Sequence, residues 1–79
     1  MQTKQASEQL AEKGRKLCDA LLKKHALKND AALARHYKFP PPFISKIRHG
    51  RLEIGAEFIV RTLRLNPEWT LSDVESLYQ

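Results

Sequence analysis

Three consecutive prolines, Pro40, Pro41 and Pro42, interrupt a chain whose pattern is otherwise helical from end to end. Proline cannot sit in a helix interior, but the first helical turn accepts it, because amides there have no intrahelical partner. The run therefore ends one helix near Lys38 and starts another at about Pro41. Gly50 suits a left-handed cap and closes that second helix near His49.

The same punctuation organises the rest. Leu10, Leu17, Cys18, Leu21 and Leu22 recur at three- and four-residue steps, placing a first helix somewhere within residues 7–26. Ser7 is read as its N-cap and Glu8 as favourable in the first turn. Gly14 interrupts that stripe at about 1 kcal/mol relative to Ala. Residues 1–13 are accordingly set apart as an N-terminal extension or added helical turn, and 14–79 as the folded domain. A second helix is capped by Asn29 or Asp30, with Ala31, Leu33, Ala34 and Tyr37 as its inner face. Gly55 caps a fourth helix over about Ala56–Leu65, burying Phe58, Ile59, Leu63 and Val60, and Asn66-Pro67 ends it. Thr70, with Asp73 three residues on, caps a last helix with Leu71, Val74, Leu77 and Tyr78 inward. No stretch alternates as a strand would, so an all-α, five-helix fold is expected.

Charge narrows the function. The net charge is +5 and the isoelectric point about 9.7, which suits an anionic partner. Residues 1–54 carry 12 Lys/Arg against 5 Asp/Glu, whereas residues 55–79 carry 2 against 4. Between Asp30 and Glu53 there is no acid at all, while Arg35, Lys38, Lys46, Arg48 and Arg51 fall in that gap. Cys18 is the only cysteine and, with His25, His36 and His49, matches no metal-ligand spacing. It is expected to be a buried apolar residue, and no metal or cofactor is expected. No apolar run approaches a membrane span, and Met1–Ser7 has no hydrophobic signal core, so a cytoplasmic protein is expected. Ser45, His36 and His49 have no orienting acid or oxyanion site in the pattern, and a chain of 79 residues leaves little room for a substrate pocket. An enzyme is not expected.

The segment Asn29–Gly50, NDAALARHYKFPPPFISKIRHG, resembles the helix-turn-helix of the lambda repressor-like (Cro/C1, XRE-type) family. Ala34 takes the mid-helix alanine, Tyr37 the apolar residue near the helix end, Lys38-Phe39 the turn, and Pro41–His49 the recognition helix with Ile44 and Ile47 inward. The resemblance covers roughly residues 14–78 and implies a compact five-helix domain that binds double-stranded DNA. It departs from the family at Lys38, where the turn commonly has a glycine with positive φ. It departs again at the prolines, which occupy places held elsewhere by a capping residue and polar base-reading residues. A third departure is Asp30, which stands where a glutamine commonly assists phosphate binding.

With Ile44 and Ile47 inward, Pro41, Pro42, Ser45, Lys46 and His49 point outward and become the base-reading candidates. Lys46 can donate to guanine O6 and N7, and Ser45 can donate or accept; a phosphate contact or a solvated side chain is the plainer alternative for Lys46. Asn29, Arg35, Lys38, Arg48 and Arg51 are the backbone candidates, with Asn29 preferred as donor over Asp30, which reads better as an N-cap. Tyr37, Phe39 and Phe43 are assigned to the core. Because one such helix reads few base pairs, a homodimer is expected, with Trp69 and Tyr78 as candidate interface residues or, alternatively, as closure of the monomer core. The expected function is a sequence-specific regulator, a prokaryotic or phage repressor. The alternatives are the antitoxin of a toxin–antitoxin pair, with residues 1–13 gripping a protein partner, and a protein-interaction module that keeps the shape without binding DNA.

Overall fold

The structure, a computed structural model, describes the backbone from Gln2 and the side chains from Glu8 onward. Five α-helices follow in order: α1 Gln2–Lys24, α2 Asp30–Tyr37, α3 Pro41–Arg48, α4 Ala56–Leu65 and α5 Leu71–Ser76. There is no strand among the described residues. Helices α1 and α2 both pack on α3, and α4 packs on α5. The long axis of 39 Å is set by α1, whose 23 residues span about 35 Å at the helical rise.

The first helix differs from the sequence reading at its start. It runs without a break through Ser7 and Gly14, so Ser7 is not an N-cap. The segment Gln2–Lys13 is rich in Gln, Lys, Glu and Ala, good helix formers that supply no stop signal. Gly14 has a packing reason instead. A Cβ there would lie 2.0 Å from the Ile47 carbonyl oxygen and 2.8 Å from its carbon. Only a residue without a side chain lets the α1 backbone approach α3 this closely. Nothing described bears on a partner-gripping role for the side chains of residues 1–7, which lie outside the described set.

The first three helices end in the same hydrogen-bonded turn. Leu27 N–H donates to Leu22 O at 2.9 Å, Phe39 N–H to Ala34 O at 2.8 Å and Arg51 N–H to Lys46 O at 2.8 Å. Each turn needs one left-handed residue, and these are Ala26 (φ 54°), Lys38 (φ 62°) and Gly50 (φ 76°). The expected positive φ at Lys38 and the glycine cap at Gly50 are both present; Ala26 carried no signal that set it apart. Helix starts follow the expected chemistry too. Asn29 Oδ1 accepts from Ala32 N–H at 2.9 Å, Gly55 precedes α4, and Thr70 and Asp73 form a reciprocal capping box.

Leu17, Cys18, Leu21, Leu33, Ala34, Tyr37, Phe39, Ile44, Ile47 and Phe58 form the continuous core. Phe58 of α4 meets Tyr37 and Phe39 edge-on, at 5.8 and 5.5 Å between ring centres, and so fastens α4 to the α2–α3 pair. Phe43 stacks on Phe39 at 4.1 Å and is half-buried, as the core assignment required. Three inward assignments are corrected. Ala31 is exposed, because the stripe that faces α3 is Asp30, Leu33, Ala34 and Tyr37, spaced i, i+3, i+4 and i+7. Val60 and Leu71 are 41% and 49% exposed. In α4 the inward place falls to Thr62, whose hydroxyl donates to Phe58 O at 2.8 Å and so is satisfied while fully buried.

Candidate nucleic-acid interface

Helix α3 has two unlike faces. Ile44 and Ile47 are wholly buried, while Pro41, Pro42, Ser45, Lys46 and His49 are all exposed. At 100° per residue Pro42 and His49 fall at the centre of the outward face, Ser45 and Lys46 on either side of it, and Pro41 at its edge. No side chain of these five makes a hydrogen bond or ion pair among the described residues. The outward stripe is therefore available to a partner along its whole length.

The cations around it divide into engaged and unengaged. Arg35, Lys38 and Arg51 are exposed and pair with no carboxylate among the described residues. Arg48 is engaged. Its Nε donates to Asp30 Oδ2 at 2.6 Å and its Nη2 to Asp30 Oδ1 at 2.8 Å, with Nη1 also 2.9 Å from Asp19 Oδ1. Only 20% of its side chain is exposed. Arg48, a DNA-backbone candidate by sequence, ties α1, α2 and α3 together in the fold. Two-pronged Arg–carboxylate pairs are directional and hold geometry well. The same contact resolves the position of Asp30. It is the first residue of α2 rather than its N-cap, it lies on the inward stripe, and its charge is compensated from within. Asn29 is the N-cap, so its Oδ1 is committed to Ala32 and its amide group alone remains to donate outward.

Arg61 carried no signal in the sequence, yet it organises the turn that leads into α3. Its Nη1 donates to Tyr37 O at 3.0 Å and Lys38 O at 2.8 Å, and its Nη2 to Glu57 Oε2 at 2.6 Å. Its guanidinium lies over the Phe39 ring, 4.2 Å from the centre. One side chain thus satisfies carbonyls that the end of α2 leaves without helical partners and covers the turn's aromatic residue. Spacing could have offered only its i,i+4 pair with Glu57, which is indistinguishable from ordinary surface pairing.

Behind the turn, Tyr37 Oη lies 3.1 Å from His25 Nε2 and accepts from Asn66 Nδ2 at 3.4 Å. Asn66, read from sequence only as a helix breaker, is buried here and also donates to Thr62 O at 2.9 Å. Burial, with His36 and Lys24 nearby, lowers the His25 pKa, and burial raises that of Tyr37. These groups brace the scaffold and do not reach the outward stripe. Trp69 and Tyr78, the candidate dimer residues, are half-buried and pack on the core. Lys24 Nζ sits 5.1 Å over the Trp69 ring and pairs with Glu68 at 2.7 Å. Both aromatics already have partners within the single chain.

Among the described residues no helix is long and apolar enough to cross a membrane. Comparison with known protein families, with curated proteins and with solved structures finds no match to this chain.

Proposed function

We propose that this chain is a sequence-specific binder of double-stranded DNA that acts as a repressor-type regulator, laying the outward stripe of α3 in the major groove. The observation that carries the reading is the exposed, unpartnered row Pro42, Ser45, Lys46 and His49 on a helix whose other face is fully buried. Lys46 and Ser45 supply the polar readout, and the unpaired Arg35, Lys38 and Arg51 supply phosphate neutralisation. The absence of any acid between Asp30 and Glu53 and the internal compensation of Asp30 by Arg48 keep the face electrostatically suited to an anion. An eight-residue helix reads few base pairs, so two copies on half-sites one helical turn apart complete the proposal. The resemblance of Asn29–Gly50 to lambda repressor-like helix-turn-helices points the same way.

The test is selection from a pool of random duplexes at physiological salt, followed by titration of the retained sequence against salt. Three neutralising cations in one chain give a slope of about −2.7 in log K against log salt, or about a fortyfold loss between 50 and 200 mM. A two-fold symmetric motif that is lost in Lys46→Ala with Ser45→Ala supports the reading; no enrichment even at low salt overturns it. A second reading, a protein-interaction module, is favoured by the exposed Leu52, Val60, Leu65 and Leu71 and by the donor-free prolines. An apolar protein contact has no such salt slope, so the same titration separates the two.

A further inference from the structure

The tip of α3 lacks the hydrogen-bond donors that a helix start ordinarily presents. Pro40, Pro41 and Pro42 have no N–H, and the next amide, Phe43 N–H, is already donated to Pro40 O at 2.9 Å. The helix N-cap makes no side-chain hydrogen bond. What the tip shows to its surroundings is the hydrocarbon of three exposed pyrrolidine rings, with the first polar side chains, Ser45 and Lys46, one turn further on. In a helix that meets a groove with its N-terminal residues, the foremost contact is thus apolar and rigid.

Resting on the reading of α3 as a major-groove helix, we propose that Pro42, flanked by Pro41, selects pyrimidines that carry a 5-methyl group. The major-groove edge of thymine bears a methyl group beside its O4 acceptor, whereas guanine, adenine and cytosine present N7, O6, N6 or N4 and no methyl group. A proline ring pressed against those polar atoms displaces water without replacing its hydrogen bonds, which is unfavourable. Against the methyl group, with the ring clear of the neighbouring O4 or N4, the contact buries apolar area and strands no polar atom. The discrimination therefore has an attractive and a repulsive part, and it needs no ordering of a flexible side chain. A 5-methylcytosine places the same methyl group at the same ring position, so methylating the cytosine at that step should strengthen binding.

The experiment uses the duplex retained by selection, with each thymidine replaced in turn by deoxyuridine, which removes the methyl group alone. One or two replacements per half-site should weaken binding about fourfold each, and the others should not. Pro42→Ser, at a first-turn position whose amide needs no intrahelical partner, should bind the thymidine and deoxyuridine duplexes equally while keeping the helical circular-dichroism spectrum. If every deoxyuridine duplex binds within twofold of the parent, the methyl preference is wrong and DNA binding stands. If Pro42→Ser keeps the discrimination, it comes from DNA shape and not from the proline, and the proposal fails. Failure to retain any duplex removes both readings together.

Discussion

The two ends of α3 are held by different physics. At its C-terminal end, contacts fix it that tolerate little change: the Gly14 backbone against Ile47, the Asp30–Arg48–Asp19 group, and the left-handed Gly50. At its N-terminal end no side-chain cap exists; covalent rigidity of the prolines, the Phe39–Phe43 stack and the Arg61 clamp take its place. One end is positioned by satisfied polar groups and close approach. The other is positioned without any side-chain hydrogen bond at the exposed tip. A binding helix gains from that division, because the anchoring chemistry and the presenting surface do not compete for the same atoms.

The largest expected effect strikes the anchored end. Gly14→Ala should destabilise the domain by about 3 kcal/mol or more, since backbone atoms of α3 would have to move to admit the new methyl group. The better helix propensity of Ala, about 1 kcal/mol, opposes this and is too small to reverse it. Urea unfolding measures the sum. A neutral or stabilising result would mean that α1 and α3 do not cross closely at Gly14, and the contrast between the two ends would lose its first term.

Arg48→Met comes next. Removing one member of a buried pair commonly costs about 3 to 5 kcal/mol; with the Arg48 side chain 20% and that of Asp30 33% exposed, solvent screening brings the expectation to about 2 kcal/mol. Adding Asp30→Asn should recover part of that loss, because no charge is then left without a partner. Asp19, 65% exposed, should contribute little by itself. A double-mutant cycle near zero would show that Asp30 and Arg48 do not couple, leaving Arg48 free for the role its sequence position suggests.

These two sites mark where sequence stopped being legible. Element order, the Lys38 turn, the caps at Thr70 and Gly50 and the outward row on α3 all follow from local rules, because spacing and proline chemistry decide them within a few residues. The carboxylate partner of Arg48 and the carbonyl partner of Arg61 are invisible to local rules because they lie far along the chain: 18 residues away for Asp30 and 23 for the Lys38 carbonyl. A basic residue in an acid-free stretch looks like a phosphate ligand until the fold brings a carboxylate to it. Gly14 is the same lesson from the backbone. Propensity registers only its unfavourable side, whereas the benefit exists in a helix crossing that no local window contains.

A smaller effect near neutrality, growing with alkali, comes from Cys18. Burial pushes its thiol up to about 12, partly opposed by Arg48. The unfolded thiol therefore ionises first, so its contribution to stability is complete below about pH 9 and lost as pH rises toward 12. Native protein at pH 8 should react with thiol reagents only as fast as it opens, and Arg48→Met should accelerate labelling by raising the open fraction. Labelling of the native protein at the rate of a free thiol would show that the anchored end of α3 is not closed over Cys18.

The smallest change in stability separates the presenting end most cleanly. Lys38 and Ala26 both hold positive φ, at about 1 kcal/mol each relative to glycine. Replacing either by glycine relieves that strain but enlarges the unfolded ensemble by about 0.4 to 1 kcal/mol. Lys38→Gly and Ala26→Gly should therefore each raise stability by no more than about 0.5 kcal/mol. In DNA binding the pair should part company: Lys38→Gly should weaken affinity and flatten the salt slope by about 0.9, the share of one neutralised phosphate, while Ala26→Gly should leave both unchanged. That outcome would explain a lysine at a position whose backbone favours glycine, since the charge beside the α3 tip is worth more to binding than the strain is to folding. Equal affinity and equal slope in the two variants would place Lys38 outside the interface and confine phosphate neutralisation to Arg35 and Arg51.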